Sequence, residues 1–233
     1  MSCIQRRFFG VPIVEQSPDD LADAWGGDRK KLTMLIFVDR VLLWRLVRSR
    51  VTRQFLLDID GVAVPAGRGV SRQIRVATGC RVGPFLEFQG TVRVMARAEM
   101  DQAGIYIVGR SQDQLQRVEQ NVRATFPNLR VVGRAIFHAS NTAAITTAIR
   151  KAGPRIVFCG TDSPALLRWI RESVHQFGPV SFLVAGRAAQ RMAGRSRAAR
   201  RGAIPALLVR PFIGPALLGH RMLLARRRKK QTA

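Results

Sequence analysis

The chain of 233 residues is long enough for one large or two small domains with a buried core, which excludes a peptide-scale fold held together by staples. Its 47% hydrophobic and 23% charged residues give a globular balance that argues against disorder, and 39 Lys+Arg against 15 Asp+Glu leave a net charge of +24, which calls for an anionic partner. Cys3, Cys80 and Cys159 lie far apart without metal-ligand spacing, so disulfide frameworks and zinc modules lose support and a reducing compartment fits best.

In chain order, Met1 to Phe9 offers basic residues but no apolar run long enough for a secretory signal, which points to the cytoplasm. Ser17-Pro18 precedes a predicted helix over Asp19 to Trp25; Leu32 to Val38 reads as a strand and Arg40 to Val47 as a helix. Phe55 to Ile59 reads as a strand running into Asp60-Gly61, and residues 65 to 103, rich in glycine and arginine, give no assignment. From about residue 104 to 186 the pattern is βαβαβαβ. Ile105 to Val108 is a strand ending at Gly109, and Ser111 caps a helix whose Leu115, Val118, Val122 and Phe126 recur at helical spacing. Leu129 to Val132 is a strand closed by Gly133, and Asn141 to Lys151 a helix ended by Gly153-Pro154. Ile156 to Cys159 is a strand ending at Gly160, Ser163-Pro164 caps the helix Leu166 to Phe177, and Val180 to Val184 closes the series.

Continuous apolar strands joined by helices predict an α/β domain over residues 1–186, with a Rossmann-like, mostly parallel sheet covered by helices on both faces. After Glu172 no acidic residue follows, and from Arg187 to Lys230 there are thirteen positive charges. Residues 187–233 therefore read as a basic, membrane-associating appendage. Its apolar stretch Ala203 to Gly219 is cut by Pro205, Arg210, Pro211 and Pro215, against the roughly 20 clean residues that a spanning helix needs. Anionic phospholipid suits a surface both basic and apolar. Specific nucleic acid binding is not expected, because Phe212 is the tail's sole aromatic for stacking. The plain alternative is a ragged, solvated tail.

Ligands of open α/β sheets bind beyond the carboxyl ends of the strands. Those ends read as Asp39, Asp58 to Gly61, Gly109-Arg110, and Gly160 to Pro164 with Ser163. Glycines there admit a diphosphate close to backbone, and free helix N–H groups attract it, although tight turns alone also use such glycines. The sequence has no G-x-G-x-x-G after a strand, no G-x-x-x-x-G-K-[ST] and no G-x-S-x-G, so dinucleotide, P-loop and hydrolase readings fall away. Asp60-Gly61 is either an Asp-Gly turn and nothing more, or a general base for a sugar hydroxyl.

Taken in order, FFGVPI, LIFVDRVLLWRLVRS, FLLDIDGVAV, IYIVGRSQDQLQRVEQNVRATFPNLRVVG, PRIVFCGTDSPALLRWI and FLVAGRAAQRMAGRSRAA resemble the WecG/TagA/CpsF family of bacterial glycosyltransferases. Phe126 to Gly133 is the most specific part. The resemblance implies transfer of an N-acetylhexosamine-type sugar from a UDP donor to a polyprenyl-diphosphate-linked acceptor, peripherally at the inner face of the membrane. No D-x-D metal and no cofactor are implied; a homo-oligomer is compatible with it.

By that resemblance Asp60 matches the D-G aspartate that deprotonates the acceptor. Arg75 matches the R-V-x-G arginine, with Arg81-Val82-Gly83 competing for the place. Gly109 fits the first glycine of a Gly-Gly turn with Arg110 at the second, and Ser163-Pro164 with Trp169-Ile170 keeps the frame of G-S-P-K-Q-E-x-W-I. Asp39, Gly61 and Gly160 complete the expected substrate-binding set, with no metal ligand. The chain departs from the family where Phe37 and Asp39 replace T-x-N, where Ala165, Leu166 and Leu167 replace K-Q-E, and where Arg197-Ala198-Ala199 replaces R-A-P. An inactive member serving as a partner of polysaccharide assembly is the alternative that these departures raise.

Overall fold

A computed structural model describes residues 5–8, 11–14, 33–58, 61–79 and 86–194. The strands are β1 (Gln5–Phe8), β2 (Val11–Val14), β3 (Thr33–Val38), β4 (Gly61–Pro65), β5 (Gly104–Gly109), β6 (Arg130–Ile136), β7 (Ile156–Cys159) and β8 (Ser181–Val184). The helices are α1 (Arg40–Arg48), α2 (Arg50–Asp58), α3 (Arg68–Thr78), α4 (Glu87–Met100), α5 (Gln112–Thr125), α6 (Thr142–Ala152), α7 (Pro164–Ser173) and α8 (Gly186–Met192).

All eight strands form one sheet in the order β1-β2-β4-β3-β8-β7-β5-β6. Every neighbouring pair is parallel except β1 with β2 at one edge. Side chains alternate along each strand, so both faces must be covered. Ile36, Val108, Val157 and Phe182 face one core, closed by Leu43, Leu56, Ile74, Ile149 and Ile170 from α1, α2, α3, α6 and α7. Leu35, Ile107, Phe158 and Leu183 face the other, closed by Met95, Leu115 and Ala189 from α4, α5 and α8. This is the expected Rossmann-like architecture.

Local chemistry sets the element boundaries. Ser111 Oγ accepts the Gln114 N–H at 3.3 Å and Ser163 Oγ the Leu166 N–H at 3.2 Å, so both helices start where capping predicts, the second with Pro164 in its first turn. Gly153 ends α6 at φ +54°, a left-handed conformation that side chains resist.

Two expectations are corrected and one open stretch is assigned. Phe55 to Asp58 is helical, the last turn of α2: Ser49 Oγ accepts the Thr52 N–H at 3.2 Å, Gln54 bonds Asp58 one turn on, and the buried pair Phe55 and Leu56 is one helix face. The unassigned stretch after residue 65 contains α3, whose Val70, Ile74 and Ala77 are buried at helical spacing, and α4. Gly133 does not close β6, which continues to Ile136, because the Tyr106 ring lies across Gly133 and takes the place of its side chain. The predicted helix Asp19 to Trp25 lies outside the described residues. The expected domain boundary at residue 187 falls inside α8, where Ala188, Ala189, Met192 and Ala193 are buried; residues 195–233 of the expected appendage lie outside the described residues.

A Cβ on Gly133 would lie 2.5 Å from Tyr106 Cε2. Gly133→Val therefore costs about 1–3 kcal/mol by overpacking, measured as a lower urea midpoint, and Tyr106→Ala lowers the midpoint less in the Gly133→Val chain than in the parent, because the valine takes up space that the ring vacates.

Candidate functional site

The helix after β5 leads outward to β6, whereas the helix after β7 leads inward to β8. Adjacent strands whose connections diverge leave a crevice beyond their carboxyl ends. Three glycines let this edge close up. A Cβ on Gly109 would lie 2.8 Å from Leu115 Cδ2, one on Gly160 2.9 Å from Ala189 Cβ, and one on Gly186 3.2 Å from Asp162 Oδ1.

The buried Gln114 amide ties β5 to β7. Its Oε1 accepts the Arg110 N–H at 2.8 Å and its Nε2 donates to the Gly160 carbonyl at 3.1 Å. Arg110 reaches across the crevice, with Nε donating to Thr161 Oγ1 at 2.8 Å and Nη2 3.4 Å from Asp162 Oδ1. On the far side of β7, Asp39 caps α1 by accepting the Leu42 N–H at 2.8 Å through Oδ1, and its Oδ2 meets Arg187 Nη2 at 2.7 Å.

Between these two pairs sits Glu87, in the first turn of α4. Its Oε1 accepts the backbone N–H groups of Arg187 at 2.8 Å and Ala188 at 3.0 Å, where α8 begins. Burial pushes its carboxyl up to about 7, against the lowering effect of those two amides and of the Arg187 charge, and the Asp162 carboxylate adds to the rise. A carboxyl poised there exchanges a proton at neutral pH.

Of the residues expected from sequence, this edge collects Asp39, Gly109, Arg110, Gly160, Ser163 and Pro164. Gly61 is elsewhere: it is the first residue of β4, paired with Met34 at the amino edge of the sheet, about 13 Å of strand from Pro65. The FLL segment is helix, so Asp58 and Gly61 stand at no carboxyl strand end. Asp60 itself lies outside the described residues. The pair that β4 delivers to the carboxyl edge is Ala66-Gly67, with Gly67 at φ +93° before α3. Arg75 is exposed in the last turn of α3, about 10 Å of helix beyond Arg68 and away from that edge. Leu166 and Leu167 are core residues of α7.

Sequence reading missed Glu87, Gln114 and Arg187 as site residues, and passed over Asp162. Only Gln114 carried a local signal, as a polar residue on the apolar face of α5. Two other features do not compete. Burial raises the Cys159 thiol well above its ordinary value, so it is no nucleophile. An open groove of about 340 Å³ between α5 and β6 is lined by Gln116, Gln120 and the mutually paired Glu119, Arg123 and Arg134. Among the described residues no group of three His, Cys, Asp or Glu is placed to hold a metal ion.

The Glu87 shift has a thermodynamic consequence. A carboxyl raised from 4.5 to about 7 on folding favours the folded state while protonated; that stabilisation is full below pH 4.5 and is lost as pH rises through 7. Glu87→Gln, fixed in the neutral form, is therefore more stable than the parent at pH 8 by up to about 3 kcal/mol, with the difference shrinking below about 1 kcal/mol at pH 5. Urea denaturation at the two pH values measures this; a Glu87 acting only as a helix cap gives a variant less stable at both.

Residues 6–203 match a family model described as Glycosyl transferase WecG/TagA/CpsF family. No match is found among curated proteins. The matched stretch runs from Arg6 of β1 through every strand that builds the crevice and past the end of α8. The chain belongs to the WecG/TagA/CpsF family of glycosyl transferases.

Proposed function

We propose that the chain moves a sugar of the N-acetylhexosamine type from a UDP donor to a polyprenyl-diphosphate-linked acceptor, in bacterial surface or exopolysaccharide biosynthesis. The observation that carries this reading is the crevice itself: guanidiniums from Arg110 and Arg187 on either side of β7, with half-buried Glu87 between them. In an inverting displacement the acceptor oxygen attacks the anomeric carbon as UDP departs. Charge develops on the diphosphate, and fixed guanidinium donors stabilise it at that moment. Both arginines are currently paired with carboxylates, Arg110 to Asp162 and Arg187 to Asp39. Both arginine side chains are more than half exposed; the Arg110–Asp162 pair, open on both sides, contributes little and yields to a diphosphate at small cost, whereas Asp39 is mostly covered and keeps its bond to the Leu42 N–H when Arg187 turns away.

The inactive-partner reading is favoured by those same pairs, which neutralise the crevice, and by Leu166 and Leu167, where packing has replaced the family's polar K-Q-E run. Titration calorimetry with UDP separates the two. The transferase reading expects saturable binding, weakened about 10- to 100-fold by Arg110→Ala or Arg187→Ala. No heat of binding to the parent rejects it in favour of the partner reading.

The acceptor is a lipid, so the enzyme works at the inner face of the membrane, with residues beyond Gly194 supplying the contact. No helix among the described residues is long and apolar enough to cross a membrane. From Arg195 to Lys230 the sequence carries eleven positive charges and no negative one, each contributing about 1 kcal/mol near an anionic leaflet. The full chain is expected to co-sediment with phosphatidylglycerol vesicles and a chain ended at Gly194 to stay in the supernatant; equal sedimentation removes the tail as the anchor.

A further inference from the structure

Among the described residues, Glu87 is the one carboxylate of the crevice not bonded to an arginine side chain. Asp39 is held by Arg187 and also caps α1, and Asp162 faces Arg110. The amide bonds to Glu87 both end on Oε1; Oε2 accepts no hydrogen bond from a described residue. The charged groups around it are Arg187 on α8, Asp162 after β7 and, through Arg187, Asp39 at the head of α1; on α4 itself the next turn offers Gly90 and Thr91, which are uncharged. The β4 end supplies no alternative, because Ala66-Gly67 stands there.

We infer that Glu87 is the group that takes the acceptor's proton in the glycosyl transfer. The inference rests on the transferase reading above. In that step the acceptor hydroxyl proton passes to Glu87 Oε2 and the acceptor oxygen bonds to the anomeric carbon. The bond from that carbon to the diphosphate oxygen breaks, and its electron pair leaves with UDP beside Arg110 and Arg187. The two amides on Oε1 hold the carboxyl in place in either protonation state. Burial leaves it basic enough to accept a proton near neutrality, whereas an exposed glutamate is a weaker base.

The experiment measures UDP release by the full chain over pH 5.5 to 9, with UDP-N-acetylglucosamine and UDP-N-acetylmannosamine as donors and a short-chain prenyl-diphosphate-linked monosaccharide as acceptor. Parent, Glu87→Gln, Glu87→Asp and Asp60→Asn are compared, with UDP affinity measured on each. The expected result is a parent profile that rises through pH 7 to a plateau. Glu87→Gln loses 10²- to 10⁴-fold in kcat and loses the acid limb, while UDP affinity changes less than threefold. Glu87→Asp, shorter by one methylene, keeps the limb at reduced kcat. Should Glu87→Gln fail to fold, loss of the acid limb in Glu87→Asp overturns the inference by itself.

Turnover and acid limb retained in Glu87→Gln overturn the inference and leave the transferase reading standing, and so does turnover lost in Asp60→Asn alone. A parent that binds UDP but releases none from either donor overturns both.

Discussion

A parallel sheet sealed on both faces leaves its strand ends as the one place where polar chemistry can gather, and the rest of this molecule follows from that constraint. Met34, Leu35, Ile36, Val157, Phe158, Phe182 and Leu183 are all buried, so a charge on either face would lie in one core or the other. At the carboxyl edge the backbones are drawn close by glycine, and the space that Cβ atoms at residues 109, 160 and 186 would take is filled by Leu115, Ala189 and the Asp162 carboxylate. The buried Gln114 amide is tolerated there because both ends of its carboxamide are satisfied.

The electrostatics of the crevice run against those of the chain. In a protein of net charge +24, three carboxylates meet two arginines among the described residues of the crevice, and these five groups are neutral together only when one carboxyl carries a proton. Glu87 is the group that carries it most readily, since desolvation outweighs its amide bonds and the Arg187 charge. In the transfer we propose, proton uptake by Glu87 and growth of negative charge on a departing diphosphate offset each other, so the total charge of the site stays nearly constant through the step.

How much of this was legible depended on where each residue's partners lie. The half from β5 to β8 could be read because GIYIVG and IVFC are buried runs bounded by glycine, with Ser111 and Ser163 signalling the helices between them. FLL misled because three apolar residues have no period; the helix is declared by Ser49 and Gln54 outside the triplet. α3 and α4 were hidden by glycines and arginines that mask the spacing of Val70, Ile74 and Ala77. Glu87 could not be found at all, because the amides that hold it belong to residues 187 and 188, a hundred positions away. Asp39, Arg110 and Gly160 were found because the ends of strands can be marked without knowing what they face.

The departures from the family pattern look different once the strands are fixed. Leu166 and Leu167 point into a core with Trp169 and Ile170, so their apolar character serves packing of α7 and leaves the crevice groups untouched. Ser163 and Pro164 still start that helix at the edge of the crevice. Asp39 has the first-turn capping role that fixes the β3 end and, through Arg187, aligns the start of α8 on which Glu87 depends. A carboxylate fixed by backbone amides from one helix and carried on another owes nothing to the residue that follows β4. That independence lets a chain whose β4 ends in Ala66-Gly67 retain, from α4, an acid-base group at the same edge of the sheet.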